Sequence, residues 1–354
     1  MSLPFDPPET FPQPAKAYSL TPTPTGVLIA HSAGLALVGP RLTPLWSRSF
    51  NGWSVGIRLS DPDVLWYGTV DGGIHLISLA NGDTLRRIDS SGGSVSAVAG
   101  SIALVSREGG FEAISPDDGV LWRREVPLKG QVVAVDDAFF LTEHWGTRLV
   151  SVDAATGLER WQREVCSTDL NRPDLPNRAI PSGFPSLFPT PDGDIAFVQL
   201  FGQITRLNGA DGSVKAQLAI SRPGTFCVRE GQVCFHTPQS LSVIDISSMQ
   251  EVEREDFGAS VSELYKVHAA SAAHGLDVDD DTIAWTLPSG ALLAIERRPA
   301  PDGTRRTWQS AVGGLMPLAR NPVLFGGSLY WARVAAPGTA DTAAVLCYPG
   351  RESE

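Results

Sequence analysis

Glycine recurs at the tip of one hairpin after another along this 354-residue chain, each time between an apolar strand and a strand whose side chains alternate: Gly34, Gly73, Gly110, Gly146, Gly202 and Gly290. Aligned on them, the preceding strands read VLIAHSAG, VLWYGTVDGG, IALVSREGG, FFLTEHWG, IAFVQLFG and IAWTLPSG; a seventh copy, VCFHTPQSLSVID, has Gln239 in the glycine's place. The first three steps are roughly 36 to 39 residues, which suits one four-stranded blade of a β-propeller and is too short for a βαβ unit with its helix. An eighth hairpin with a longer loop, LYWARVAAPGTADTAAVLCYPG, ends the series. The pattern predicts an all-β chain folded as a single β-propeller over residues 15–349, with eight four-stranded blades and seven as the alternative.

The tail from 350 to 354 is too short for a strand, so the last blade either stays at three strands or takes its fourth from the segment 1–14. Pro4, Pro7, Pro8, Pro12 and Pro14 make that segment a poor ladder partner, because proline has no N–H to donate. Such a loan would tie the two termini together and remove an open sheet edge.

A hydrophobic content of 42% supports a substantial core, and 35 glycines suit many short strands joined by turns. The formal charge of -11, with Lys and Arg scattered as singles or pairs, argues against nucleic acid and anionic lipid as partners, since both call for a clustered basic face. No apolar run approaches the roughly 20 residues of a membrane span, so no membrane insertion is expected. The opening MSLPFDPPETFPQP has neither a basic nor an apolar stretch of the secretory kind, which points to the cytoplasm. The cysteines, Cys166, Cys227, Cys234 and Cys347, include no C-x-x-C pair. A two-residue turn at Glu230-Gly231 would set Cys227 directly across from Cys234 in a hydrogen-bonded pair, and both are expected to be reduced, part-buried thiols.

One corner of the fourth copy, Asp153-Ala154-Ala155-Thr156-Gly157-Leu158-Glu159-Arg160-Trp161, resembles the repeat signature of the pyrroloquinoline-quinone-like, or quinoprotein dehydrogenase-like, propeller family. Looser copies are SPDDGVLW ending at Trp122, SLANGDTL ending at Leu85, NGADGSVKA around Gly212 and ERRPAPDGTRRTW ending at Trp308; GPRLTPLW keeps only Trp46. Physically, Asp153 and Thr156 can hydrogen-bond within a tight turn and Gly157 supplies a positive φ. The Trp carries apolar surface into the gap between blades. Trp46, Trp122, Trp161 and Trp308 therefore read as wedges. Trp53, Trp145 and Trp331 lie nearer connections and are candidate interface anchors if exposed.

The quinone enzymes of that family hold their cofactor on the propeller axis with calcium, and many carry adjacent cysteines, which this chain lacks. The resemblance is to the blade-building corner, so it implies the non-enzymatic branch, with no cofactor and no metal. Asp277-Val278-Asp279-Asp280-Asp281 has the oxygen ligands of a calcium loop but aligns with the strand A to B turns of other copies, and reads as a solvated turn. His31, Glu143, Gln199 and His236 share one register, three before the hairpin glycine; ordinary strand-end hydrogen bonds are expected there.

Insertions at 166–186, 257–275 and 334–342 break the spacing, and in a propeller these connections emerge on one rim. That rim is the expected partner-binding face, carried by Glu143, His144, Trp145, Asn171, Arg172, Phe184, Tyr265 and His268. The resulting expectation is a non-catalytic scaffold or adaptor that docks a protein partner within a larger assembly. The alternative is a small-ligand-binding or quinone-dependent enzyme using the axial funnel, with Glu143, His144, Gln199 and His236 at its mouth.

Overall fold

The computed structural model describes residues 9–11, 17–31, 33–50, 54–61, 63–90, 94–126, 129–143, 148–164, 186–199, 203–220, 225–229, 231–236, 240–256, 275–286, 292–298, 307–309, 322–333 and 344–349. They form eight four-stranded antiparallel sheets, the blades of a β-propeller, and one 3-10 turn, Pro40–Leu42. Blades 1 to 7 are meanders of strands A to D over 17–49, 54–89, 94–125, 129–164, 186–219, 225–256 and 275–309. Blade 8 takes strands A to C from 323–348, and its strand D is Glu9–Thr10. There Glu9 pairs with Cys347 and Thr10 with Leu346, the Phe11 N–H donates to the Val345 carbonyl at 2.9 Å, and the Phe11 side chain is buried. The prolines flank this pairing and are not part of it, so the ladder loses no donor.

Two compact units are distinguished. One holds residues 55–223 and 245–250, hence blades 2 to 5; the other holds 1–54, 224–244 and 251–354, hence blades 1, 7, 8 and nearly all of 6. In the first, the core is layered between neighbouring blades. Strand B of blade 4, Ala138–Glu143, is buried at every position because both of its faces are covered. Its period of two sends Phe139 and Leu141 into a cluster with Leu104, Phe111 and Ala113 of blade 3, and Ala138 and Phe140 into one with Ile195, Phe197 and Leu207 of blade 5. Strand D of the same blade, Glu159–Glu164, is largely exposed. In the second unit, Val27, Ile29 and Val38 of blade 1 pack with Tyr330, Val345 and Phe11, while Ala284, Leu292 and Trp308 of blade 7 pack with Leu329, Trp331 and Tyr348 of blade 8.

The repeat's corner performs the task its residues suggest. Asp153 Oδ1 accepts from the Thr156 N–H (2.9 Å) and hydroxyl (2.8 Å), and Gly157 has φ +71°. Hydrogen bonds from Arg160 and then Thr156 hold the Asp153 carboxyl down at about 2. The tryptophan crosses to the next blade: Trp122 Nε1 donates to Ala154 O at 2.8 Å, and Trp161 Nε1 to Gly209 O at 2.9 Å. Each indole lies against the next corner's glycine, where an added Cβ would come within 2.6 Å of the ring, at Gly157 for Trp122 and at Gly212 for Trp161. The glycine is thus required twice, for its φ and for the room it leaves.

A bulge aims the indole. Ser151 pairs with Trp161 but Val152 pairs with Glu159, which leaves Arg160 unopposed, and the same shift leaves Leu45, Leu85, Leu121 and Lys215 unopposed in blades 1, 2, 3 and 5. Bulges bend a strand and re-aim the residue that follows. Trp46 and Trp308 are buried, Trp122 and Trp161 half-buried, so all four serve as wedges. Trp331 corrects the sequence reading: it lies within strand B of blade 8, 2% exposed, and is core rather than an interface anchor. Trp53 lies outside the described residues.

Candidate functional site

Of the eight residues expected on the partner-binding face, Glu143 lies among the described residues; His144, Trp145, Asn171, Arg172, Phe184, Tyr265 and His268 lie outside them. Glu143 closes strand B of blade 4, and its carboxylate is buried. It accepts from Arg124 Nε at 3.0 Å, on strand D of blade 3, and faces Arg148 at 3.8 Å on its own blade. Glu159 meets the same two guanidinium groups, at 3.3 and 3.6 Å. Two carboxylates against two cations make a neutral cluster that joins blades 3 and 4. Among the described residues the other buried carboxylates are also met by cations: Glu112 by Arg123 at 3.2 Å, and Asp194 by Lys215 at 2.7 Å and by Arg206.

His31, in the register of Glu143, is buried, accepts from the Ala33 N–H at Nδ1 (3.3 Å) and sits beside Phe11. Burial lowers its pKa below the usual imidazole value. The side chains of Gln199 and His236 lie outside the described residues. Among the described residues, no three His, Cys, Asp or Glu side chains are grouped as a metal site would need.

Of the acidic run 277–281, Asp277 and Val278 end strand A of blade 7 and 279–281 make the A to B turn its alignment implies, but the run is only partly solvated. Asp279 Oδ1 accepts from the N–H groups of Asp281 and Thr282. Asp277 accepts from Val278 N at 3.1 Å and, across to strand A of blade 8, from Leu324 N at 2.7 Å. Burial pushes its carboxyl up to about 6.

Asp277 belongs to a set that sequence reasoning missed, polar side chains on strand A that reach the next blade's strand A. Arg58 Nε donates to Ser96 O at 2.7 Å, Gln131 Oε1 accepts from Leu187 N at 2.8 Å, and Arg229 donates to Val278 O at 2.7 Å. Within each unit these consecutive A strands lie side by side, and single polar residues fasten them.

The Arg229 bond borders a small cavity of about 110 Å³, lined by Cys234, Asp279, Asp280 and Arg297 among others. A drug-sized ligand generally occupies about 300–1,000 Å³, so this space suits a much smaller molecule.

A family profile described as outer membrane protein assembly factor BamB matches residues 34–310. The chain belongs to that family. The matched range includes the docking tryptophans Trp122 and Trp161 and the corner glycines Gly157 and Gly212. The fold agrees with solved structures. BamB from Moraxella catarrhalis superposes with a TM-score of 0.57 at 13% identity, covering 99% of this chain and 98% of that one. The C-terminal WD40 domain of Sif2 gives 0.63 at 10% identity, covering 96% and 98%. The dihydro-heme d1 dehydrogenase NirN, in complex with DHE, gives 0.55 at 13% identity, covering 90% of this chain and 68% of that one. At such identities the shared property is the fold. No curated protein matches the chain in sequence.

Proposed function

We propose that this BamB-family propeller is a non-catalytic scaffold subunit that docks a protein partner through the face bearing its long connections. The observation that carries this reading is the family match over 34–310 to an assembly factor. The uneven connections support it. The chain between blades 4 and 5 (165–185) and between blades 6 and 7 (257–274) is far longer than that between blades 2 and 3 (90–93). Those connections hold Asn171, Arg172, Phe184, Tyr265 and His268, and the shorter hairpin at 144–147 holds His144 and Trp145. Aromatic and Arg side chains of this kind supply most of the binding energy at protein interfaces. Glu143 contributes indirectly, its carboxylate fixing the end of the strand that leads into His144.

The test is co-purification of the tagged chain from its native host, beside a triple variant Trp145→Ala, Phe184→Ala, Tyr265→Ala. A partner held at fixed stoichiometry by the parent, and bound at least about tenfold more weakly by a variant with unchanged melting temperature, supports the scaffold. A saturable thermal shift with a quinone plus calcium, and no protein partner, replaces it with the ligand-binding reading.

A further inference from the structure

Cys227 and Cys234 face one another across the A–B hairpin of blade 6, in register, next to the small cavity. Both are free thiols. The hairpin closes on two residues, so Arg229 and Gln232 form its first hydrogen-bonded pair and Cys227–Cys234 the next. Cα atoms in such a pair stand about 5.5 Å apart, inside the roughly 4.4–6.8 Å span of disulfides. The Cβ atoms of such a pair start slightly wider than a disulfide holds them, so bond formation draws the two strands together locally.

Their surroundings differ. Cys234 packs with Leu241, Val243, Leu276 and Trp285 on one side and lines the cavity on the other. Arg297 lies on that cavity, held there by a bond to the Asp279 carbonyl (3.0 Å) and an ion pair with Glu253. The neighbouring Cys234 and then burial raise Cys227, whereas the neighbouring Cys227 and the charge of Arg297 lower Cys234 against its burial. Cys227 is therefore the thiol that keeps its proton, and Cys234, on the cavity, the sulfur that becomes thiolate. Cys347 offers the contrast: it is fully buried and burial pushes it up to about 11.

We propose that Cys234 and Cys227 form a peroxide-reactive pair, Cys234 being the sulfur that attacks a small hydroperoxide entering the cavity and Cys227 the resolving thiol. The Cys234 thiolate attacks one peroxide oxygen and the O–O bond breaks. Cys234 becomes a sulfenic acid and hydroxide, or an alkoxide, departs. Cys227 sulfur then attacks Cys234 sulfur, the S–O bond breaks, and water leaves with the Cys227 proton. Two thiols lose two electrons in all, and the hydroperoxide takes them up. The product is a cross-strand disulfide that a dithiol reductant reverses.

The experiment treats the full-length reduced protein with hydrogen peroxide and maps each cysteine by mass spectrometry over time, with Cys347 as internal reference. The expected result is a Cys227–Cys234 disulfide, reversed by dithiothreitol, forming at least about tenfold faster than any oxidation of Cys347. In C227S the reaction should stop at a sulfenic acid on Cys234, trapped by dimedone, and in C234S no trapped adduct should form at Cys227. R297Q should slow oxidation several-fold while keeping the same product. Oxidation of Cys234 no faster than that of Cys347, or onward to sulfinic acid without a Cys227 bond in the parent protein, would overturn the proposal. The time course of the parent protein decides this even if a variant fails to fold.

Discussion

Trp161 on strand D of blade 4 donates its indole N–H to the Gly209 carbonyl of blade 5 at 2.9 Å, while its ring covers Gly212 so closely that no Cβ could stand there. The relation repeats one blade earlier between Trp122 and the corner of Ala154 and Gly157. Neighbouring sheets are thus coupled by one side chain received in a slot of bare backbone. Since the chain repeats the pair, the coupling can be measured.

Trp161→Ala should cost about 2–4 kcal/mol, below the full range for a buried Trp because this one is half-buried. Gly212→Ala should cost at least about 1 kcal/mol, since φ is +70° and the new methyl meets the ring. The double variant should lose less than the sum, by about 1 kcal/mol, because removing the indole relieves the clash. Urea unfolding of the four proteins checks this; strict additivity would refute the slot.

His31 of blade 1 and Asp277 of blade 7, each shifted by desolvation, should drive stability in opposite directions. His31 has its folded pKa below 6.5 through burial, so the unfolded chain binds more protons just below that value. Stability from this residue is complete above about pH 6.5 and is lost as the pH falls; His31→Gln should flatten that limb.

Asp277 titrates the other way. Its folded carboxyl sits at about 6 against 3.8 unfolded, so the native state holds the extra proton between those values and stability falls as pH rises through them. Asp277→Asn, which keeps an oxygen for Leu324 N, should raise stability at pH 7 by about 1–2 kcal/mol and leave it unchanged near pH 3. Melting curves across pH 3–8 separate this residue from His31.

Arg124→Ala should cost about 1–3 kcal/mol, because it leaves the buried Glu143 carboxylate with Arg148 alone. Arg86→Ala removes an exposed pair with Asp117 and should cost under about 0.5 kcal/mol. Equal losses in denaturant unfolding would show that burial does not govern these pairs.

Phe11→Ser should lower the melting temperature by several degrees, since it strips the amino-terminal strand of its one buried anchor against Val345 and Tyr330 while leaving the prolines in place. An unchanged melting point would mean that Glu9–Thr10 contributes little to blade 8.

Strand count, hairpin positions and the corner of Asp153 to Trp161 were legible in the sequence because they depend on local rules: glycine where φ is positive, alternation along a strand, an indole at a fixed offset. The paired cysteines were legible for the same reason, a two-residue turn fixing their register. The ties of Arg58, Gln131, Arg229 and Asp277 were not, because a lone polar residue on an edge strand looks identical whether it meets water or another backbone. Trp331 misled through the long loop that follows it, which made a mid-strand residue resemble one near a connection. Glu143 was found by register, but register could not show that Arg124, from a different blade, would neutralise it.

In blade 8, Glu9–Thr10 pairs with Ala344–Tyr348, so one sheet joins residue 9 to residue 347, whereas each of blades 1 to 7 is a local meander. Closing that pairing carries a larger loop-entropy cost than any hairpin, so this sheet should form after the meanders, its early strand exposed in the interval. The protein is therefore most open to chaperones, proteases and stray strand pairing before this sheet closes, and a cut that removes Ala344–Tyr348 would leave the early strand without its mate.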